Sequence, residues 1–393
     1  MFDLAAVQAA LREAALDGWL LYDFRASNVL ARRVLDLDER QVGSRRLFYC
    51  IPAQGQPRKL VHRIESAALD HLPGERTVYL HWQSLEAGLA TLLAGMCKVA
   101  MEYSPRNAIP YVSRVDAGTV EQVRARGVEV VSSGDLIQRF EAVWDDDQWA
   151  SHLAAEKFTT SAYDRAWEFI GRSVRNGPVR ETDVQRVILE HFAEHGLTTS
   201  HPPIVGCNAH SGDPHYEPLP GHDAEIRAGD FVLIDLWAKL DRPRAVYSDL
   251  TRVGFVGRDV PDRYTKIFQI VARARDAAID FVRTAFAAGR PLAGWQVDQA
   301  ARDVIDAAGF GDAFVHRTGH SIGQETHGNG ANMDNLETHD ERRVLPRTCF
   351  SIEPGIYLSE FGVRSEVNVY IDDAGGVHVT GGPLQTEVLA VWV

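Results

Sequence analysis

The sequence predicts two domains, an α/β domain over residues 1–145 and an α+β domain over residues 146–393. Three observations carry this. Short apolar, β-rich runs alternate with helical spacings through the first 140 residues. The remainder repeats one rhythm twice, two helices followed by strands. Acidic residues interrupt the apolar strand-like runs of that second part, and burying them is costly unless something positive meets them.

The first domain opens with helical spacing from Leu4 to Leu16, then the short apolar strand Trp19–Tyr22. Leu47–Ile51 and Lys59–His62 flank the turn AQGQP and form a hairpin. Val78–Leu80, Lys98–Met101 and Val128–Val131 add strands with helices between them. No glycine-rich phosphate loop and no cluster of histidine with acids occurs here. A polar helical stretch from Leu136 to about Glu168, holding the acidic run Asp145–Asp147, marks the boundary. Helices are then expected at about 155–175 and 182–195, before strands holding Asp235 and Asp249. Two more follow at about 262–288 and 295–308, before strands holding Glu353 and Glu366. The repeated order suggests a duplicated unit that offers one carboxylate pair from each half.

At 393 residues the chain is long enough for two cores. Its net charge of −13 argues against a nucleic-acid footprint. Four scattered cysteines without CxxC spacing read as reduced, mostly buried thiols in a cytoplasmic protein. The amphipathic, acid-bearing start is not a secretory signal, and no run of about 20 apolar residues is available to span a membrane.

The chemistry concentrates in four segments. FVLIDLWAKLDRPRAVYSDLTR carries Asp235 and Asp249, 14 residues apart, and FSIEPGIYLSEFGVRSEV carries Glu353 and Glu366, 13 apart. Strand alternation puts Arg364 and Glu366 on one face, while Pro354-Gly355 ends a strand just after Glu353. VHRTGHSIGQETHGNG gathers His316, His320 and His327 within twelve residues. Imidazoles so placed can bind a metal or relay protons. IVGCNAHSGDPHYEP adds His210 and His215 on a polar loop. Four carboxylates match the charge of two divalent cations, and oxygen ligands with one imidazole suit Mn, Co or Zn. That pattern points to a two-metal hydrolase.

Over roughly residues 150–393 these motifs resemble the pita-bread metallopeptidases, which include aminopeptidase P, prolidase, methionine aminopeptidase and the non-metal creatinases. The resemblance rests on SDLTR, TGHSIG, IEPGIY and VRSE, and it implies that Asp235, Asp249, His320, Glu353 and Glu366 bind two divalent metal ions (Mn, Zn or Co). It implies a curved, mostly antiparallel sheet with two helix pairs, and more loosely a creatinase-type N-terminal domain. Asp235 would hold one metal and His320 with Glu353 the other, with Asp249 and Glu366 bridging. Glu353 would act as general base on a water shared by both metals, which attacks the carbonyl before proline. His215 would face the oxyanion, His327 the substrate or leaving nitrogen, and His316 would lie in the outer shell. Arg364 matches the arginine beside the last ligand, and Tyr357 an aromatic after the EPG turn. The sequence departs from the family where Leu236-Trp237-Ala238 follows the first aspartate instead of the usual Gly-Ala, and the two aspartates are spaced more widely.

The expected activity is that of an Xaa-Pro dipeptidase, with an Xaa-Pro aminopeptidase on longer peptides as the neighbouring reading. A metal-free binding protein on the same fold is the reading from another class. A dipeptidase must meet the proline carboxylate with a basic group, for which Arg364, His327, Arg25, Arg32 and Arg33 are candidates. The resemblance also implies a homodimer and a small peptide substrate, with no nucleic-acid or membrane partner.

Overall fold

A computed structural model describes residues 2–38 and 43–391. The chain forms two compact units, Met1–Glu141 and Ala142–Val393. The division falls four residues before the position read from the sequence. Trp144 explains the shift: its indole is buried and stacks on Tyr370, which commits residues 142–145 to the second unit. The stretch expected to be one helix from Leu136 to about Glu168 is therefore broken.

The first unit runs α1 (Leu4–Glu13), β1 (Gly18–Asp23), α2 (Val29–Val34), β2 (Leu47–Pro52), β3 (Arg58–His62), β4 (Glu75–Tyr79), α3 (Trp82–Leu92), β5 (Lys98–Met101), α4 (Ala117–Arg124), β6 (Glu129–Ser132) and α5 (Gly134–Ile137). Its mixed sheet has the order β4-β3-β2-β1-β5-β6, with β1-β2 and β2-β3 antiparallel and the remaining pairs parallel. Helices on both faces require strands that are apolar on both sides. In β1, Trp19 and Leu21 pack with α1 and α2, while Leu20 and Tyr22 pack with α3 and α4. Asp23 fixes Arg32 in a buried ion pair and Arg33 reaches Glu141, so two of the candidate arginines are already engaged. Among the described residues, three cysteines are buried and Cys97 is exposed.

One acid lies wholly inside this unit. Glu102 accepts from the Trp19 indole at 2.6 Å, Asn28 Nδ2 at 2.7 Å and the Ser133 hydroxyl at 3.1 Å. Burial nevertheless raises its pKa to about 7.

The second unit opens with α6 (Asp146–Val174), started by an Asp145 capping box, then β7 (Val179–Arg180) and α7 (Glu181–Glu194). β8 (Leu197–Thr198), β9 (Ile204–Cys207), β10 (Glu225–Ile226), β11 (Phe231–Leu240) and β12 (Ser248–Phe255) follow. Then come α8 (Asp262–Ala287), α9 (Gly294–Ala307), β13 (Ser321–Ile322), β14 (Cys349–Ile352), β15 (Gly355–Tyr357), β16 (Gly362–Arg364), β17 (Val367–Ile371), β18 (Val377–Thr380) and β19 (Leu389–Ala390). The expected helix-pair and strand rhythm appears in this order. The long hairpin β11-β12 is joined by β8, β9 and β19, and β13-β14-β17-β18 form a second sheet; every pairing except β12-β19 is antiparallel. No helix among the described residues is long and apolar enough to cross a membrane.

A side chain stitches the two sheets. The Asn368 amide on β17 accepts from the Asp249 N–H on β12 at 3.0 Å and donates to the Asp249 carbonyl at 2.5 Å. The Glu366 N–H adds a bond to the Thr251 carbonyl at 3.2 Å.

Two predictions follow from these buried polar groups. Asn368→Leu leaves a buried N–H and C=O unpaired and should destabilise the protein by about 3 kcal/mol in urea unfolding; an unchanged midpoint would show that the seam holds without the amide. For Glu102, a folded pKa above the unfolded value of about 4.3 means its contribution is full at low pH and is lost as pH rises through 7. Amide exchange of β1 and β5 should thus report about 2 kcal/mol less stability at pH 8 than at pH 5. Glu102→Gln should remove that slope, and equal slopes in both proteins would refute it.

Candidate metal centre

The site grows from the alternation of β11 and β12. Even-numbered Val232, Ile234 and Leu236 pack toward α6 and α7, whereas odd-numbered Phe231 and Leu233 pack with α8. Asp235 and Trp237 continue the odd row. In register, Asp235 lies opposite Thr251 and Trp237 opposite Asp249. Directly opposed residues share a face, so the two aspartates are diagonal neighbours on it.

The second sheet supplies the rest from its strand ends. Of the five residues expected on strand-like segments, only Asp235 and Asp249 lie within strands. Glu353 follows β14 because Pro354 ends that ladder, and its N–H turns to the Thr318 carbonyl at 2.7 Å. Glu366 fills the bend between β16 and β17, and His320 immediately precedes β13. Gly319 permits this approach: a Cβ there would lie 1.9 Å from the Ser351 carbonyl oxygen.

His320 Nε2 stands 3.4 Å from Glu353 Oε1 and 3.5 Å from Asp249 Oδ2. One donor atom each from Asp249, His320 and Glu366 lies within 4.8 Å of the others. The His320 Nδ1–H donates to the Ser321 carbonyl at 3.1 Å, which leaves the Nε2 lone pair facing the carboxylates. Arg364, 3 % exposed, is the guanidinium at the centre. Its Nη2 donates to Asp235 Oδ2, its Nε to Thr251 Oγ1 at 3.0 Å, and its Nη1 to Tyr357 Oη at 2.9 Å and the Pro214 carbonyl at 3.3 Å. The Thr251 hydroxyl in turn donates a hydrogen bond to Glu366 Oε2 at 2.8 Å.

Burial drives the electrostatics. It raises the pKa of Asp235 to about 6 and of Asp249 to about 7, and lifts Glu353 and Glu366 as well. It lowers that of His320. Asp235 Oδ1 and Glu366 Oε1 are buried with no hydrogen-bond partner. Unpaired carboxylate oxygens beside an imidazole lone pair form a donor set for a hard or borderline divalent cation, so the residues present fit such ions.

The other histidines occupy different shells. His316 Nδ1–H donates to the Arg317 carbonyl at 2.6 Å, so its Nε2 accepts the Tyr357 hydroxyl at 2.7 Å. Tyr357 in turn accepts from Arg364, so donation runs outward from Arg364, through Tyr357 to His316 on one side and to Asp235 on the other. His327 is exposed, with its ring edge-on to His320 at 4.3 Å between centroids, and that neighbour pushes its pKa down. His215 is exposed on the turn after Pro214, close enough to influence His327. His210 instead binds the buried Glu181. Sequence reasoning missed Thr251 and Ser351, which donates to Glu353 Oε1 at 3.0 Å. Both sit two residues from a candidate ligand, and within β12 that spacing places Thr251 on the same face as Asp249.

Residues 151–373 match the model of Metallopeptidase family M24. The probable dipeptidase PepE of Mycobacterium tuberculosis is 29% identical over 349 residues, covering 87% of this chain and 85% of the relative. The Xaa-Pro dipeptidase of Pyrococcus furiosus is 32% identical over 159 residues, 40% of this chain and 42% of that protein. The solved structure of dipeptidase PepE from Mycobacterium ulcerans aligns with a TM-score of 0.72 at 26% identity, covering 99% of this chain and 97% of that one. The prolidase from Pyrococcus horikoshii OT3 shares the fold, with a TM-score of 0.62 at 19% identity over 98% and 99% of the two chains. Fold and family together define a metal-dependent peptidase of the pita-bread type. The chain belongs to metallopeptidase family M24.

A cation that meets the unpaired oxygens should stabilise the fold. Adding Mn(II) at about 100 times its Kd should contribute about 2.7 kcal/mol, seen as a rise in Tm that EDTA reverses. An unchanged Tm in both conditions would exclude these residues as a cation site.

Proposed function

We propose that the protein is a dinuclear-metal Xaa-Pro dipeptidase. One observation carries the reading: three buried carboxylates, the partly buried Glu353 and one imidazole converge around the Arg364 guanidinium, and two carboxylate oxygens are left unpaired. Relatives named as dipeptidases and Xaa-Pro dipeptidases support it. In this reading Asp235, Asp249, His320, Glu353 and Glu366 would hold the two cations, with Asp235 Oδ1 and Glu366 Oε1 as the buried oxygens still without a partner. Two such cations, when bound, supply Lewis acidity and lower the proton affinity of water.

The protein's own groups do the rest. Arg364 ties down Oδ2 of Asp235 and keeps its other oxygen directed inward. The Ser351 hydroxyl orients Glu353, whose side chain is the most accessible of the four acids at 14 %, as a general base must be. His327 and His215, at the open side, meet the substrate: His215 toward the developing oxyanion, His327 toward the departing proline nitrogen. His316 and Tyr357 act behind Arg364 as positioning residues. Xaa-Pro is a tertiary amide with a fixed ring and no N–H, so shape can select it. The first unit, Met1–Glu141, is a creatinase-type domain, and the chain works as a cytoplasmic homodimer.

Free proline release from Ala-Pro, compared with cleavage of Ala-Pro-Ala and a longer Xaa-Pro peptide, tests the reading. Chelator-sensitive cleavage of the dipeptide alone is expected. First-bond cleavage of the longer peptides makes the protein an Xaa-Pro aminopeptidase instead, and no cleavage with Mn, Co or Zn sinks both. Glu353→Gln should lower kcat by about 10²- to 10⁴-fold; wild-type turnover in that variant would remove Glu353 from the chemistry.

A further inference from the structure

The last turn of α7 carries the sequence His191-Phe-Ala-Glu194-His195. Spacings of three and four place His191, Glu194 and His195 on one helix face. One donor atom from each lies within 4.8 Å of the other two. We propose that these three side chains form a second metal site, for a borderline divalent cation such as Zn(II), separate from the carboxylate centre.

The hydrogen bonds around the two imidazoles determine which nitrogens are free. Ser161 on α6 donates its hydroxyl proton to the Phe158 carbonyl at 3.2 Å, so its oxygen accepts from His191 Nε2–H at 2.9 Å. That leaves His191 Nδ1 as a lone pair. The residue is 7 % exposed, and Nδ1 is buried without a hydrogen-bond partner. His195 Nδ1–H donates to the His191 carbonyl at 2.8 Å, which makes its Nε2 the lone pair. Each imidazole thus keeps one ring nitrogen free of a proton, and its other ring nitrogen is held as an outer partner would hold it. The rings approach to 4.3 Å between centroids, and Phe158 packs on His195 at 4.4 Å. Burial lowers the pKa of His191, which favours the neutral ligand form.

Charge also fits. The site lies at the C-terminal end of α7, where backbone carbonyls concentrate negative potential and a cation is stabilised. Glu194 adds a carboxylate. Arg165 on α6 opposes the metal: its guanidinium grips both Glu194 oxygens. Each oxygen keeps a second lone pair, so Glu194 can serve both, but Arg165 weakens the cation's hold. The site is independent of the carboxylate cluster because the even row of β11 faces α7 while the odd row faces that cluster. A nitrogen–nitrogen–oxygen set suits Zn(II), and solvent completes the coordination.

Zinc counted per chain by equilibrium dialysis and mass spectrometry tests this in the full-length protein. Wild type should hold one more Zn(II) than His195→Gln at equal free zinc, with peptide hydrolysis unchanged in the variant. Arg165→Gln removes the competing cation and should bind that additional zinc about tenfold more tightly. Equal zinc counts in wild type and His195→Gln would overturn the proposal. If His195→Gln fails to fold, Arg165→Gln decides alone: tighter zinc supports the site, unchanged or weaker zinc overturns it.

Discussion

The second unit depends on how one guanidinium is used. Four carboxylates, two on strands and two at strand ends, converge in largely apolar surroundings where each isolated charge is costly. Arg364 meets this with a planar fork that touches Asp235, Thr251, Tyr357 and the Pro214 carbonyl at once. A lysine ammonium has no such geometry and would satisfy fewer of these acceptors. Through Thr251 the influence reaches Glu366, and through Tyr357 it reaches His316. The carboxylates still have raised pKa values, so Arg364 alone does not offset their burial. A bound cation would complete the balance that these carboxylates leave open.

Much of this was legible in the sequence because it follows from period two. Asp235 and Asp249 stand in strands whose apolar partners identify the inner face, and the register then brings the two acids together. The helix pairs were legible for a similar reason, since α8 and α9 carry long apolar stripes and end close to where the spacing places them. Other features depend on partners far along the chain. Asn368 looks like an ordinary polar strand residue until it spans the seam to Asp249, 119 residues away. Glu353, Glu366 and His320 have strand-like sequence neighbours, yet their own N–H groups leave the regular ladder for Thr318, Thr251 and Ser351. Local propensity carries no information about those exchanges. The break before α6 was hidden in the same way: Trp144 and the Asp145 cap terminate one helical stretch and start another within a run that reads as uniformly polar.

The substrate side has a different construction from the carboxylate side. His215 is exposed, and the bonds of its turn do not pass through its ring. What fixes that loop is Glu181, a buried carboxylate in the first turn of α7. It accepts from the Cys207 N–H at 2.6 Å, the Ala224 N–H at 2.7 Å, the Tyr216 hydroxyl at 2.6 Å and His210 Nδ1 at 3.0 Å. A helix N-terminus is where such a charge is best tolerated. These four donors span both ends and the middle of the loop. The Pro214 carbonyl then rests on Arg364, which links the loop to the same guanidinium that orders the acids. The loop is therefore pinned at its base and along one side while its histidine stays free at the surface. That arrangement leaves the His215 imidazole exposed beside Asp235 and Glu366, whose positions Arg364 and Thr251 fix. It also gives α7 two roles, since the helix that anchors the loop at its first turn presents the histidine pair at its last.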